Sequence, residues 1–216
     1  MVNIIIVEDH QIVRQGLKLL LSQEQGMQVV ADFDCGEGLL RYLKARSPIL
    51  KKDNLVLLLD INLPGKGGFE VLMQMQALYP TIPVLVLSMY SESTMAIRML
   101  RAGASGYMHK DADPNTLITA LKQVSKGQRY VSASVADQLV NELRPSTSVV
   151  LHERLSAREF EVFLLLGEGY PNNIIAQKLV VSPKTVSTFK VRVLKKMNMQ
   201  NQAEIVRYIL EKRLKG

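Results

Sequence analysis

The chain has 216 residues, 47% apolar and 22% charged, with a net charge of +7. That length fits one large domain or two small ones, and the composition is globular, which excludes disorder of the whole. A single cysteine, Cys35, excludes an internal disulfide, and no stretch approaches the ~18 apolar residues of a membrane span.

The chain opens on the apolar run Ile4-Ile5-Ile6-Val7, followed directly by Glu8-Asp9. The run is too short for a signal-peptide core, so a soluble, cytoplasmic protein without membrane contact is expected. Further apolar runs stand at 29–33, 55–59, 84–87 and, shorter, 106–108. Leu55-Val56-Leu57-Leu58-Leu59 is apolar throughout, as a parallel strand covered on both faces requires. Between the runs, Ile12, Val13, Leu17, Leu20 and Leu21 recur at helical spacing, as do Phe69, Leu72, Met73 and Met75. Met95, Ile97, Met99 and Leu100 form a third set, and Leu117, Ile118, Leu121 and Val124 a fourth. Strands alternating with helices over 1–125 predict an α/β domain with a five-stranded, doubly wound parallel sheet.

The rhythm stops at 126. A partly helical linker is expected over 126–153, with one more helix at 135–143 and then the polar Arg144-Pro145-Ser146-Thr147-Ser148. From 154 to 216 only helical periodicity remains, which predicts a second, all-α domain of four short helices. Phe160, Phe163, Leu164 and Leu166 supply one core face, and Ile174, Ile175 and Leu179 the next, ended near Val181-Ser182-Pro183. Val186, Val193 and Met197 mark a third helix, and Ile205, Ile209 and Leu214 a fourth, whose stripe is expected to serve a two-fold contact. Charge separates the domains too. Residues 1–125 hold 12 basic and 12 acidic residues, whereas 151–216 hold 12 basic and 6 acidic. A basic module attached to a neutral one points to a polyanion partner.

Ligands of an open parallel sheet bind beyond the carboxyl ends of its strands. Those ends carry Glu8-Asp9, Asp60, Ser88 and His109-Lys110. Three converging carboxylates repel unless a cation joins them, and hard oxygen donors with open positions suit Mg²⁺. Lys110 adds a fixed positive charge. Taken singly, Asp9 reads as a helix cap, Asp60 as a turn residue before Pro64-Gly65, and Lys110 as a solvated lysine. Their joint position favours a site. His10 and His109 flank it, but there is no coherent His/Cys set for a transition metal. Cys35 has no activating neighbours in sequence, and the methionines at helical spacing read as core.

This constellation resembles the receiver domain of two-component response regulators over roughly 1–125. Asp60-Ile61-Asn62-Leu63-Pro64-Gly65, Gly67-Gly68 and Gly103-Ala104-Ser105-Gly106-Tyr107-Met108-His109-Lys110 carry the likeness. The resemblance implies a flavodoxin-like fold, with Asp60 the phosphoacceptor for a cognate sensor histidine kinase. Glu8, Asp9, Asp60 and the Asn62 backbone carbonyl would hold Mg²⁺, while Ser88, Lys110 and the switch aromatic Tyr107 would respond to the phosphoryl group. The 47–54 connection, with Lys51-Lys52, is longer than that family usually has.

No acid occurs between Glu168 and Glu204, a stretch holding Lys178, Lys184, Lys190, Arg192, Lys195 and Lys196. A helix beginning near Pro183 would bury Val186, Val193 and Met197 and suits a DNA major groove. Residues 154–214 resemble the LuxR-type helix-turn-helix, through Leu155-Ser156, Arg158-Glu159, Glu161-Val162, Gly169-Tyr170, Asn172, Ile175-Ala176, Leu179, Ser182, Lys184-Thr185-Val186 and Lys196-Met197. Pro171, Ile174 and Phe189 depart from the pattern, where a serine, an acid and often a histidine stand. The two likenesses together are those of a regulator of the NarL/LuxR (FixJ) type. They imply DNA contacts from Lys184, Thr185, Ser187, Thr188, Lys190, Val191, Arg192, Lys195 and Lys196. They further imply a homodimer on activation, inverted half-sites, and RNA polymerase as an admissible partner. Phosphorylation is expected to release the basic module from the receiver, which otherwise covers part of its recognition helix. Two other readings compete: a receiver that dimerises without phosphate, and a phosphohydrolase using Asp60. The latter class usually has a second acid two residues on, and here that residue is Asn62.

Overall fold

Five strands, β1 (Val2–Val7), β2 (Met27–Phe33), β3 (Leu55–Asp60), β4 (Val84–Ser88) and β5 (Gly106–His109), form one sheet in the order β2-β1-β3-β4-β5. All pairs are parallel. Helices α1 (Gln11–Ser22), α2 (Gly36–Arg46), α3 (Gly68–Leu78), α4 (Glu92–Arg101) and α5 (Pro114–Ser125) connect and follow the strands. This computed structural model describes residues 1–46, 54–65, 67–90, 92–142, 151–212 and 214. The 47–54 connection and the polar segment 144–148 therefore lie outside the described residues, Asn54 excepted. Two compact units emerge, Met1–Ala136 and Asp137–Gly216, and helix α6 (Ala133–Glu142) spans their division.

In the first unit, β3 is buried from end to end, as its unbroken apolar run requires. Around it pack Ile4, Ile6, Leu85, Leu87 and Met108 from neighbouring strands, and Leu117, Ala120, Leu121 and Val124 from α5. Helix α1 departs from its predicted face. Ile12 and Val13 are exposed, and the helix packs through Leu17, Leu20 and Leu21 instead. Met73 on α3 is likewise exposed. The strand register sets Val7 beside Leu59, Asp60 beside Leu87, and Ser88 beside His109. Glu8, Asp60, Ser88 and Lys110 are thereby delivered to one edge of the sheet, where β1 and β3 part company with their connections.

The second unit begins with a 3₁₀ turn at Leu151–Arg154, followed by α7 (Ala157–Gly167), α8 (Asn172–Leu179), α9 (Pro183–Met197) and α10 (Gln202–Glu211). Side chains stop the chain from starting helices elsewhere. Ser156 and Glu159 form a capping box on α7, Ser182 caps α9 ahead of Pro183, and Asn201 caps α10. The four predicted core faces are buried, with Ile174 and Leu214 only partly so. The α10 stripe is a correction: Ile205 and Ile209 are 0% and 3% exposed within this unit and present no surface to a second copy. Gly167 makes the packing possible, because a Cβ there would collide with the Ile209 side chain.

Helices α7, α8 and α9 end in the same way. The N–H groups of Tyr170, Val181 and Met199 reach back to Leu165, Ala176 and Leu194 at 3.2, 3.0 and 2.9 Å. Those of Gly169, Val180 and Asn198 reach Leu166, Gln177 and Lys195 at 3.1, 3.3 and 3.2 Å. This Schellman arrangement needs a left-handed residue, and Gly169, Val180 and Asn198 have φ of +82°, +50° and +54°. Glycine and asparagine adopt that conformation readily, but a β-branched valine is strained there. Val180 is 57% exposed, so little packing offsets the strain. Val180→Asn should stabilise the second unit by about 1 kcal/mol, measured by urea denaturation. A lower midpoint would show that the valine side chain outweighs its backbone cost.

Candidate functional site

At the sheet edge, Lys110 Nζ lies 2.8 Å from Asp60 Oδ2 and 2.8 Å from Glu8 Oε2. Asp60 and Glu8 are each 1% exposed, so both carboxylates are desolvated and answered by one ammonium. Burial pushes the Asp60 carboxyl above its ordinary range, and Lys110, with the Asn62 N–H, pulls against that while Glu8 adds to it. Burial alone would lower Lys110, but Asp60 and Glu8 hold it above its usual value and keep it charged. Glu8, Asp9, His10 and Asp60 each place a donor atom within 4.8 Å of the others. Three carboxylates against one ammonium leave two negative charges in excess, and Asp9 stays partly open to solvent. That donor set fits a hard divalent cation. His10 Nδ1 is 2.8 Å from Asp9 Oδ1 and 3.2 Å from Glu8 Oε1, which places the imidazole at the mouth of the group.

Ser88 is fully buried, and its Oγ accepts the Tyr90 N–H at 3.0 Å. Tyr107 is 1% exposed and donates its hydroxyl to the Tyr90 carbonyl at 2.7 Å. Both side chains thus hold the backbone of one residue in the β4–α4 loop. Asn62 lies beside the acids, its N–H donating to Asp60 Oδ1 at 3.1 Å.

In the second unit, α9 turns Val186, Val193 and Met197 inward. Its opposite side exposes Lys184, Ser187, Thr188, Val191, Arg192, Lys195 and Lys196, with Thr185 partly covered in the cap. Two of the expected contacts are diverted. Lys190 is half-buried, with Nζ 2.8 Å from Gln202 Oε1, and Lys196 Nζ lies 2.6 Å from Glu159 Oε2. Lys178 stands 4.7 Å over the Tyr170 ring. Pro171 caps α8 without a side-chain bond, and Asn172 reaches across to Ser187 instead.

Residues 4–122 match the response regulator receiver domain, and residues 153–209 match the bacterial regulatory proteins of the luxR family. The chain belongs to the LuxR-type response regulators. Response regulator GacA of Pseudomonas aeruginosa is 34% identical over 206 residues, covering 95% of this chain and 94% of GacA. Response regulator UvrY of Escherichia coli O6:H1 is 30% identical, covering 95% and 92%. A structure of RcsB from Salmonella enterica serovar Typhimurium, bound to promoter rprA with phosphomimetic BeF3−, has a TM-score of 0.63 at 25% identity, covering 95% and 96%. The regulator is thus a two-component response regulator with a DNA-binding LuxR-type domain.

The LuxR-type signature of this regulator has physical reasons. Arg158 Nη1 pairs with the buried Glu161 at 2.7 Å, and Nη2 donates to the Leu179 carbonyl at 2.6 Å, closing the end of α8. Gln202 donates to the Leu166 carbonyl at 3.0 Å while receiving Lys190, so one amide joins α7, α9 and α10. Sequence reasoning missed Arg14 in the receiver. Its Nη1 donates to the Glu8 carbonyl at 2.5 Å and its Nε lies 3.2 Å from Asp32 Oδ2, tethering the acidic loop to β2. The spacing of Arg14 and Asp32 carries no periodic signal, since only the fold brings them together.

Glu159 yields a pH prediction. Burial would raise its carboxyl, but Lys196 and the Ser156 N–H and hydroxyl overcome that and hold it below its ordinary range. A lowered folded value means the ionised form stabilises the fold above the ordinary glutamate range, and that contribution disappears as pH falls through the lowered value. Glu159→Gln should therefore destabilise the second unit at pH 7, and the gap from wild type should close on acidification. Urea midpoints measured from pH 7 to 3 would read it; a gap independent of pH contradicts the assignment.

Proposed function

We propose that Asp60 accepts a phosphoryl group from the phosphohistidine of a sensor kinase, and that this controls sequence-specific DNA binding by α9. The observation that carries the reading is Lys110 Nζ at 2.8 Å from both Asp60 and Glu8, in a group two negative charges in excess. Glu8, Asp9, Asp60 and the Asn62 carbonyl would hold Mg²⁺, which supplies charge neutralisation for the transferring group. An Asp60 oxygen attacks phosphorus, the P–N bond breaks, and the imidazole leaves. Lys110, already charged, is placed to pair with a phosphoryl oxygen. The acyl phosphate adds about −1.5 to −2 charges. Ser88 moving toward it must give up the Tyr90 N–H, while Tyr107 holds the carbonyl of that same residue. The switch therefore acts on the β4–α4 loop, and a pre-existing equilibrium shifts.

The domain assignment that goes with this reading is a receiver over 1–125, a linker over 126–153 and a DNA-binding domain over 154–216 in a cytoplasmic protein. RcsB is described bound to promoter DNA and as dimers on two parallel DNAs. By that likeness this regulator binds DNA as a homodimer, and the LuxR-type resemblance adds inverted half-sites and RNA polymerase as an admissible partner. The buried Ile205 and Ile209 remove those residues from the dimer contact. The complete acid, hydroxyl and lysine set favours this over a phosphate-independent regulator.

Incubation with acetyl phosphate and Mg²⁺ should add one phosphoryl mass at Asp60, lost in Asp60→Asn and on chelation of the metal. Labelling of Asp60→Asn to the wild-type extent would refute the site. Full-length protein should bind a selected duplex more tightly after phosphorylation. If the dimer contacts about 6 phosphates, its affinity should fall roughly 10³-fold between 50 and 200 mM salt. A flat response would exclude α9 as the docking element.

A further inference from the structure

The middle of the exposed α9 face is apolar. Val191 is 66% exposed, the one large hydrophobic side chain of α9 among the described residues left open to that degree. It sits one turn beyond Ser187 and Thr188, between the cations Lys184 on one side and Arg192 and Lys195 on the other.

The hydroxyl protons beside it are engaged. Ser187 Oγ donates to the Pro183 carbonyl at 3.0 Å and accepts from Asn172 Nδ2 at 3.1 Å. Thr188 Oγ1 donates its proton to the Lys184 carbonyl at 3.0 Å. Neither residue has a hydroxyl proton left for a base edge. Phe189, where the LuxR-type pattern often has a histidine, is half-buried beside Thr188 and brings no donor or acceptor. Lys190 is turned to Gln202. What this face offers at its centre is methyl groups and the Thr188 oxygen as an acceptor, rimmed by positive charge.

In the major groove, the feature that answers a methyl group is the 5-methyl of thymine. We propose that Val191 and Thr188 read thymine methyl groups, so that this regulator selects thymine where the middle of α9 meets the bases. The proposal rests on α9 being the docking helix, and it adds the chemical basis of selection. Lys184, Arg192 and Lys195 then supply attraction to phosphates without discriminating sequence.

Deoxyuridine differs from thymidine only by that methyl group, which gives a test needing no variant. Duplexes selected from a randomised library by the full-length protein would have each thymine replaced in turn by deoxyuridine. At one or two positions per half-site, wild-type affinity should fall about four-fold, the factor one buried methyl group is worth. Val191→Ala or Thr188→Ser should shrink that difference at its own position and leave it intact at the other. Both residues are exposed, so the substitutions leave the fold intact. The proposal is overturned if no replacement weakens wild-type binding, or if both variants still discriminate as wild type does. A separate arm isolates the underlying reading. If Lys184→Ala with Arg192→Ala leaves binding to every duplex unchanged, α9 is not the docking helix and the proposal falls with it.

Discussion

One ammonium between two buried carboxylates organises the first unit. Desolvating two carboxylates costs several kcal/mol per ion, and Lys110 at 2.8 Å from both Asp60 and Glu8 offsets part of that cost. Lys110 reaches that point because β5 ends at His109 in register with Ser88, so the strand order brings the fifth strand's end to the acids of the first and third. Asp9, on the open side, pairs with His10 and, among the described residues, with no other cationic side chain. The protein therefore balances part of the charge and leaves a divalent-sized remainder. A fully neutralised cluster would be a structural ion pair, and a wholly unneutralised one would not stay folded around its acids.

Much of this was legible in the sequence because buried parallel strands and charged strand ends are strong local signals. An unbroken run such as 55–59 ending in Asp60 has few other readings, and β3 is buried throughout with Asp60 at its edge. Helix α1 shows where periodicity fails. Ile12 and Val13 match the spacing but lie on the solvent side, since spacing fixes a face only to within a residue or two. The Arg14–Asp32 tether and the Tyr107–Tyr90 bond were invisible, because both join segments that only tertiary structure brings together. Ile205 and Ile209 were visible as an apolar stripe, but a stripe does not say whether its partner is another helix of the same chain. Here the partner is α7, admitted by Gly167.

The same limit governs the basic helix. Composition counts six cations between Glu168 and Glu204 and treats them as equivalent. The structure divides them. Lys196 secures the capping box of α7, Lys190 joins the amide that links α7 to α10, and Lys178 lies over Tyr170. Lys184, Arg192 and Lys195 remain on the exposed face of α9. Counterion release depends on how many phosphates are neutralised, not on how many basic residues the helix contains. On the proposed docking, three cations per copy would give a dimer about six such contacts, the low end of the roughly 6–10 that make binding steeply salt-dependent. The diverted lysines are not wasted. Lys190 and Lys196 tie α9 to α10 and α7, and a helix proposed to read bases must be held in register with the groove. Basic charge in this unit thus divides between holding the helix in place and attracting the polyanion, and only the second share appears in a salt titration.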